Sequence, residues 1–275
     1  SKAMTVDVSV DFPRGVFTEW YPDTTVQEPD ATVRSPAPRD GHAHWRVLAD
    51  PHGDESKVPA VSDADIWAPS RRTKAAVLRA KSEHEKHIFY RGVGQFDLPI
   101  TVKATATTVR VHNSSTQDIP AALLLRNDGD GASVTTLGAI PAGQTVDVPR
   151  PKQLQSVASY SEKCRTTLLS ALIGAGLYAD EAHAMIDTWE RSWLHHQGLR
   201  VLYIVPREWT DELLPLQITP RPTVLERVLV GRIEVLTPEV EAEAVTLYEA
   251  AIDPSDLLPL KVRLGRFAEA VTRRA

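Results

Sequence analysis

The sequence predicts an α+β protein: a β-sandwich over residues 1–154 packed on a C-terminal α/β unit over residues 155–275 that carries an αα-hairpin. Three observations predict it. Before residue 155, short runs with period-two alternation are separated by turn residues, the pattern of many short strands. Two helical patterns then follow, over 160–174 and 180–196. Directly after them comes an apolar run, 199–205, that reads as a central buried strand.

The first strand is set by Val6, Val8, Val10 and Phe12 alternating with Asp7, Ser9 and Asp11, which gives one apolar and one polar face. Pro13 to Gly15 breaks it, and 16–21 resumes as a strand. Residues 22–41 read as a long loop, 45–49 as a short strand, and 50–69 as a second loop. Residues 74–80 and 87–93 read as paired strands, followed by strands over 100–106 and 108–112. The segment 113–118 has turn chemistry. Strands over 119–126 and 133–140 flank a tight turn at Asn127-Asp-Gly-Asp-Gly131, and a strand over 145–148 closes the series.

Ser159 or Ser161 caps the first helix, whose apolar side is Leu168, Leu169 and Leu172, and Gly174 or Gly176 ends it. In the second helix Ala182, Met185, Ile186, Trp189 and Trp193 share one face, read as core packing. Residues 213–218 extend the sheet, and 225–236 form a long strand. Thr237-Pro238-Glu239 starts a helix that reaches about Ile252, and a last helix covers 258–274.

The chain has 275 residues, 42% hydrophobic and 24% charged, which is globular composition and too apolar for disorder. A net charge of −5 argues against nucleic acid as a partner. No apolar run is long enough to suggest a membrane span. Ser1-Lys-Ala-Met4 resembles a segment added for expression, and the first strand begins abruptly at Thr5. Cys164 is the one cysteine, so neither an intrachain disulfide nor a CxxC zinc knuckle can form.

Catalytic signatures are missing: the sequence has no GxSxG elbow, HExxH pair, Walker loop or dinucleotide fingerprint. Asp128-Gly-Asp-Gly131 imitates a calcium loop without its twelfth-position carboxylate and reads as a hairpin turn. His42 and His44, two apart where a loop enters a strand, lie on one face and are the candidate ligands for a divalent transition metal, with Asp40, His52, Asp54 and Glu85 as possible partners. His84 and His87 flank Glu85 and read as surface residues. His183, Asp187 and Glu190 share the polar face of the second helix, either as a solvated face or as an imidazole with two carboxylates.

A set of aromatic and arginine side chains at strand ends remains: Glu19-Trp20-Tyr21, Phe89-Tyr90-Arg91, Arg200, Tyr203, Arg207-Glu-Trp209 and Arg232. Arginines within strands need partners, and Glu19, Glu190 and Glu234 are available. Either these charges form a structural ion network joining the two halves, or they line a groove. The candidate binding residues are Trp20, Tyr90, Arg91, Glu190, Tyr203, Arg207 and Arg232.

Two resemblances bear on this. The run Val109-Arg-Val-His-Asn-Ser, with Ile119-Pro and Ile140-Pro-Ala-Gly-Gln-Thr-Val, looks like late strands of an immunoglobulin-like sandwich. Residues 10–22, 89–96, 188–193 with 202–207, and 230–234 resemble a family of uncharacterised exported bacterial proteins. That resemblance implies a periplasmic or extracellular setting with a further strand upstream, and it transfers no site. The expectation is a noncatalytic exported module without cofactor that binds a protein or carbohydrate-like ligand at the cell envelope. The alternatives are a metal-assisted hydrolase and a purely structural envelope protein.

Overall fold

The computed structural model describes residues 2–27, 40–251, 253–258 and 262. Most of the expected helix over 258–274 and most of the expected loop over 22–41 lie outside them. The described chain is mixed α+β. In chain order the strands are β1 (Met4–Phe12), β2 (Gly15–Tyr21), β3 (Thr25–Gln27), β4 (Gly41–Asp50), β5 (Val77–Ala80), β6 (Glu83–Glu85), β7 (Phe89–Gly94), β8 (Ile100–Ala104), β9 (Thr108–Asn113) and β10 (Ile119–Asn127). They continue with β11 (Ala132–Ile140), β12 (Thr145–Pro149), β13 (Gly198–Ile204), β14 (Leu216–Thr219) and β15 (Val230–Glu234). The helices are α1 (Ala68–Arg71), α2 (Val157–Gly174), α3 (Ala179–Glu190), α4 (Arg207–Leu213) and α5 (Pro238–Ala250). All strand pairings are antiparallel.

The chain divides into two compact units, each gathering three stretches: residues 1–98, 172–189 and 206–229 in the first, and 99–171, 190–205 and 230–275 in the second. The change from strands to helices falls near residue 155, as the pattern predicts, yet each unit takes chain from both sides of it.

The first unit is built on the sheet β14-β1-β4-β5-β6, with β3 on β4. Its alternation is the predicted one. Val10, Phe12, Ala43, Trp45 and Val47 are buried on one face, and Asp7, Ser9, Asp11, His42, His44 and Arg46 occupy the other. Strand β4 begins earlier than predicted, so both histidines lie within it. The buried Trp45 indole donates to Pro22 O at 2.9 Å. A separate ribbon pairs β2 with β7, with Trp20 opposite Tyr90 and Glu19 opposite Arg91. Two glycines permit its close packing. A Cβ at Gly92 would stand 2.3 Å from Val16 O, and one at Gly94 would stand 2.4 Å from the Phe12 ring.

Three expectations about pairing are corrected here. Residues 74–80 do not pair with 87–93. Lys81, at φ 51°, turns β5 back into β6, and β7 joins β2. Residues 207–213 form α4, and β14 adds to β1 rather than to the sheet of β13. The predicted long strand over 225–236 is only β15, and Leu225 O in the stretch before it accepts from Arg207.

In the second unit β13 is central, between β10 and β15, as its continuous burial from Leu199 onward predicts. A three-stranded sheet, β12-β9-β8, belongs to the same unit. The Asn127–Gly131 turn is the hairpin predicted, closed by Asp128 N–H to Gly131 O at 2.9 Å with Gly129 at φ 98°. Helix α2 begins at Val157 with Ser156, not Ser159 or Ser161, accepting from the Ser159 N–H. Cys164 is buried in it, as read, and burial pushes its thiol up to about 12. Helix α5 starts where predicted, with the Thr237 hydroxyl accepting from Val240 N–H at 3.4 Å.

Candidate functional site

A cavity of about 580 Å³ opens in the first unit, within the usual size range of small-molecule sites. Two periodicities build its walls. From α3 come Glu181, Ala184, Met185, Thr188 and Trp189, spaced 0, 3, 4, 7 and 8, which is one helical stripe. From the strand side come Phe89 and Arg91, two apart on β7, with His87 in the bend just before it. Trp67, just before α1, faces both. Lys74 N–H donates to Asp180 Oδ2 at 2.9 Å and ties the segment after α1 to the start of α3.

Aromatic rings dominate the strand wall. Trp67 meets Phe89 edge-on at 4.9 Å between centroids, lies 5.4 Å from the His87 ring at 30°, and meets Tyr21 at 5.9 Å. Tyr90 lines the cavity and also packs on Phe17 and Trp45, which anchors it to the core. Burial raises its hydroxyl pKa, opposed by Arg227 nearby.

Beneath Trp67 and His87 lies a fully buried carboxylate, Glu85. Arg71 grips it through Nε at 2.9 Å and NH2 at 2.6 Å, and the Lys86 N–H donates to it at 2.8 Å. Burial alone would raise its pKa. The His87 imidazole, the Arg71 guanidinium and the Lys86 N–H outweigh burial and hold it at about 2, so Glu85 is an anion at neutral pH. His87 Nδ1 stands 3.4 Å from Glu85 Oε1 and has no well-formed hydrogen bond. The contact is therefore electrostatic rather than a tight bond. Arg71 also caps the Trp67 ring, with its guanidinium carbon 5.8 Å from the centroid.

The binding residues predicted from sequence separate. Trp20, Tyr90 and Arg91 come together on the β2–β7 ribbon, and Tyr90 and Arg91 line the cavity. Arg91 pairs with Glu19 at 2.8 Å on the open surface. Arg207, in the same unit, is held by Asp211 at 2.8 Å and by Leu225 O at 3.1 Å. Glu190, Tyr203 and Arg232 fall in the second unit. There Glu190 pairs with Arg165 at 2.5 Å, Tyr203 is 2% exposed, and Arg232 is bound to Glu234 at 2.6 Å and Ser192 O at 2.6 Å. Arg200 is wholly buried and bonds Glu234 Oε1, Trp193 O and Gln197 O. Arg200, Arg232 and Glu234 make a network inside the second unit, while Glu19 and Glu190 each pair with an arginine of their own unit.

His42 and His44 sit on the polar face of β4, each beside an aspartate of β1: His42 Nδ1 is 2.6 Å from Asp11, and His44 Nε2 is 3.4 Å from Asp7. Among the described residues no three histidine, cysteine, aspartate or glutamate side chains are placed to hold a metal ion. His183 and Asp187 are exposed on α3. No family model, curated protein or solved structure matches this chain. The site therefore stands on its own geometry. Among the described residues no helix is long and apolar enough to cross a membrane.

Sequence reading misses Trp67, Glu85, His87 and Phe89 as a cluster. Trp67 lies in an irregular stretch with no periodicity to place it. His87 reads as surface because it stands three from His84, and Glu85 reads as a possible metal partner, but Glu85 is buried and held by Arg71 of α1. Trp189, read as core, is 39% exposed and lines the cavity, whereas Trp193 is 6% exposed and is core as predicted.

Proposed function

We propose that this chain is a noncatalytic binding module and that the aromatic cavity of the first unit is its ligand site. The convergence of an α3 stripe and a strand face on one volume of about 580 Å³ carries this reading. The charged side chains at the cavity's edge already have partners, as Arg91 does in Glu19 and Lys86 in Glu55. The exported setting, periplasmic or extracellular, belongs to the same reading by sequence resemblance. So does an immunoglobulin-like stacking of β8-β9-β12 on the sheet of β10 and β11, supported by Asn113 of β9 donating to Ile140 O of β11 at 2.9 Å.

Filling the cavity tests the reading. Ala184 is buried and faces the space, so Ala184→Phe places a ring where a ligand would sit. By calorimetry, wild type should bind 2-methoxynaphthalene with a Kd on the order of 10–100 μM, reasonable for a dozen heavy atoms. The folded Ala184→Phe variant should bind at least about tenfold more weakly, the loss of the contacts that one ring makes. Equal binding by both proteins would place the ligand elsewhere and end the reading.

A further inference from the structure

We propose that the ligand of this cavity is a neutral, flat aromatic molecule carrying one O–H or N–H group, which it donates to Nε2 of His87. This rests on the cavity being the ligand site. Three observations carry it.

The first is charge. Besides His87, the lining holds two acids, Glu19 and Glu181, and two permanently charged bases, Lys86 and Arg91. Arg91 and Glu19 neutralise each other, Lys86 Nζ is 3.0 Å from Glu55, and Glu181 accepts from the Tyr178 N–H. An anionic ligand would find no balancing charge without breaking one of these ion pairs, a cation would find only the carboxylate of Glu181, already held by an N–H, and either would lose its hydration against an apolar wall.

The second is shape. Trp67, Phe89, Tyr90 and Trp189 offer ring edges and faces around the space. A planar ligand gains edge and face contacts with such walls, whereas a sugar would leave most of its hydroxyls without partners.

The third is the orientation of His87. Its Nδ1 is buried and points at the anionic Glu85, 3.4 Å away, and its ring lies beside Trp67. Between the two neutral tautomers, a carboxylate next to Nδ1 favours the one with its proton there, which leaves Nε2 as a lone-pair acceptor. Arg71 in turn holds Glu85, so the chain Arg71–Glu85–His87 orients the ring with Nδ1 toward the carboxylate and Nε2 away from it.

The test compares 2-naphthol with 2-methoxynaphthalene, which have the same rings but differ in the donor, by calorimetry on the whole protein. Wild type should favour 2-naphthol by about 5- to 10-fold, the scale of one neutral hydrogen bond. His87→Phe keeps a ring beside Trp67 but removes the acceptor. In this variant the two ligands should bind within about twofold of each other, since the discriminating bond is gone. His87→Gln, whose amide oxygen can accept, should retain part of the preference. Equal affinities in wild type, or an undiminished preference for 2-naphthol in His87→Phe, would overturn the donor assignment while leaving the cavity as a binding site. Tighter binding of naphthalene-2-sulfonate than of 2-naphthol would overturn neutrality. Failure of wild type to bind any of the three would instead overturn the cavity as the ligand site.

Discussion

Glu85→Gln is expected to destabilise the first unit by about 3–5 kcal/mol, the cost of leaving a buried guanidinium without its counter-charge. Glu85 is fully buried and Arg71 is only 12% exposed, so water cannot replace the lost partner on either side. Arg71→Met should cost a similar amount by stranding the carboxylate. The double variant should recover much of the loss, because neither charge is then left alone. Urea unfolding followed by tryptophan fluorescence measures all three proteins. A loss below about 1 kcal/mol in Glu85→Gln would mean that the pair behaves like an exposed one.

The same pair gives the first unit an acid limit. Glu85 is depressed in the folded protein, from an ordinary 4.5 to about 2. The unfolded chain therefore binds a proton first as the pH falls. The stabilisation is complete above the ordinary carboxylate value and drains away between pH 4.5 and pH 2. Its size is roughly 3 kcal/mol, consistent with the expected loss in Glu85→Gln. In Glu85→Gln that share of the acid sensitivity should disappear.

Glu234→Ala should have an effect of comparable size in the second unit, again about 3–5 kcal/mol. Glu234 is the shared acceptor of two arginines, Arg200 at 3.0 Å and Arg232 at 2.6 Å, whose side chains are 0% and 6% exposed. Removing it takes the counter-charge from the wholly buried Arg200 and a shared carboxylate from Arg232. The backbone acceptors at Trp193, Gln197 and Ser192 satisfy hydrogen bonds but supply no counter-charge. Glu19→Ala is the matching control. It breaks an ion pair with both partners more than half exposed, and should cost no more than about 1 kcal/mol. Thermal unfolding of the two variants side by side checks the contrast. Similar losses in both would contradict the network as a source of stability.

The strands of the first sheet and the central place of β13 were legible because burial there follows a simple period. Val10 and Phe12 lie on one face and Asp7 and Asp11 on the other, while β13 is buried from Leu199 onward, apolar but for Arg200, and paired on both edges. Strand partners were not legible. Nothing in residues 74–93 says that β7 leaves β5 for β2, since that choice depends on glycines at 92 and 94 meeting Val16 and Phe12 from far away in sequence. The site was half legible for the same reason. Tyr90 and Arg91 stood out as an aromatic–arginine pair, and both line the cavity. Trp67 and His87 gained their roles only when Arg71 drew Glu85 into the interior, a contact between residues 14 apart across an irregular stretch. Arg200 and Arg232 looked like recognition residues because buried and ligand-facing arginines have the same sequence appearance. Their partners, not their spacing, decide between the two.

The most direct test is a titration of the folded protein with 2-naphthol, followed through the indole N–H signals of its six tryptophans. Trp67 and Trp189 line the cavity, and Trp193 lies in the second unit. Saturable shifts of the Trp67 and Trp189 signals, with Trp193 unmoved and both shifts lost in Ala184→Phe, are the expected result. An absence of any saturable shift, or a Trp193 shift as large as that of Trp67, would contradict a ligand site in the first unit.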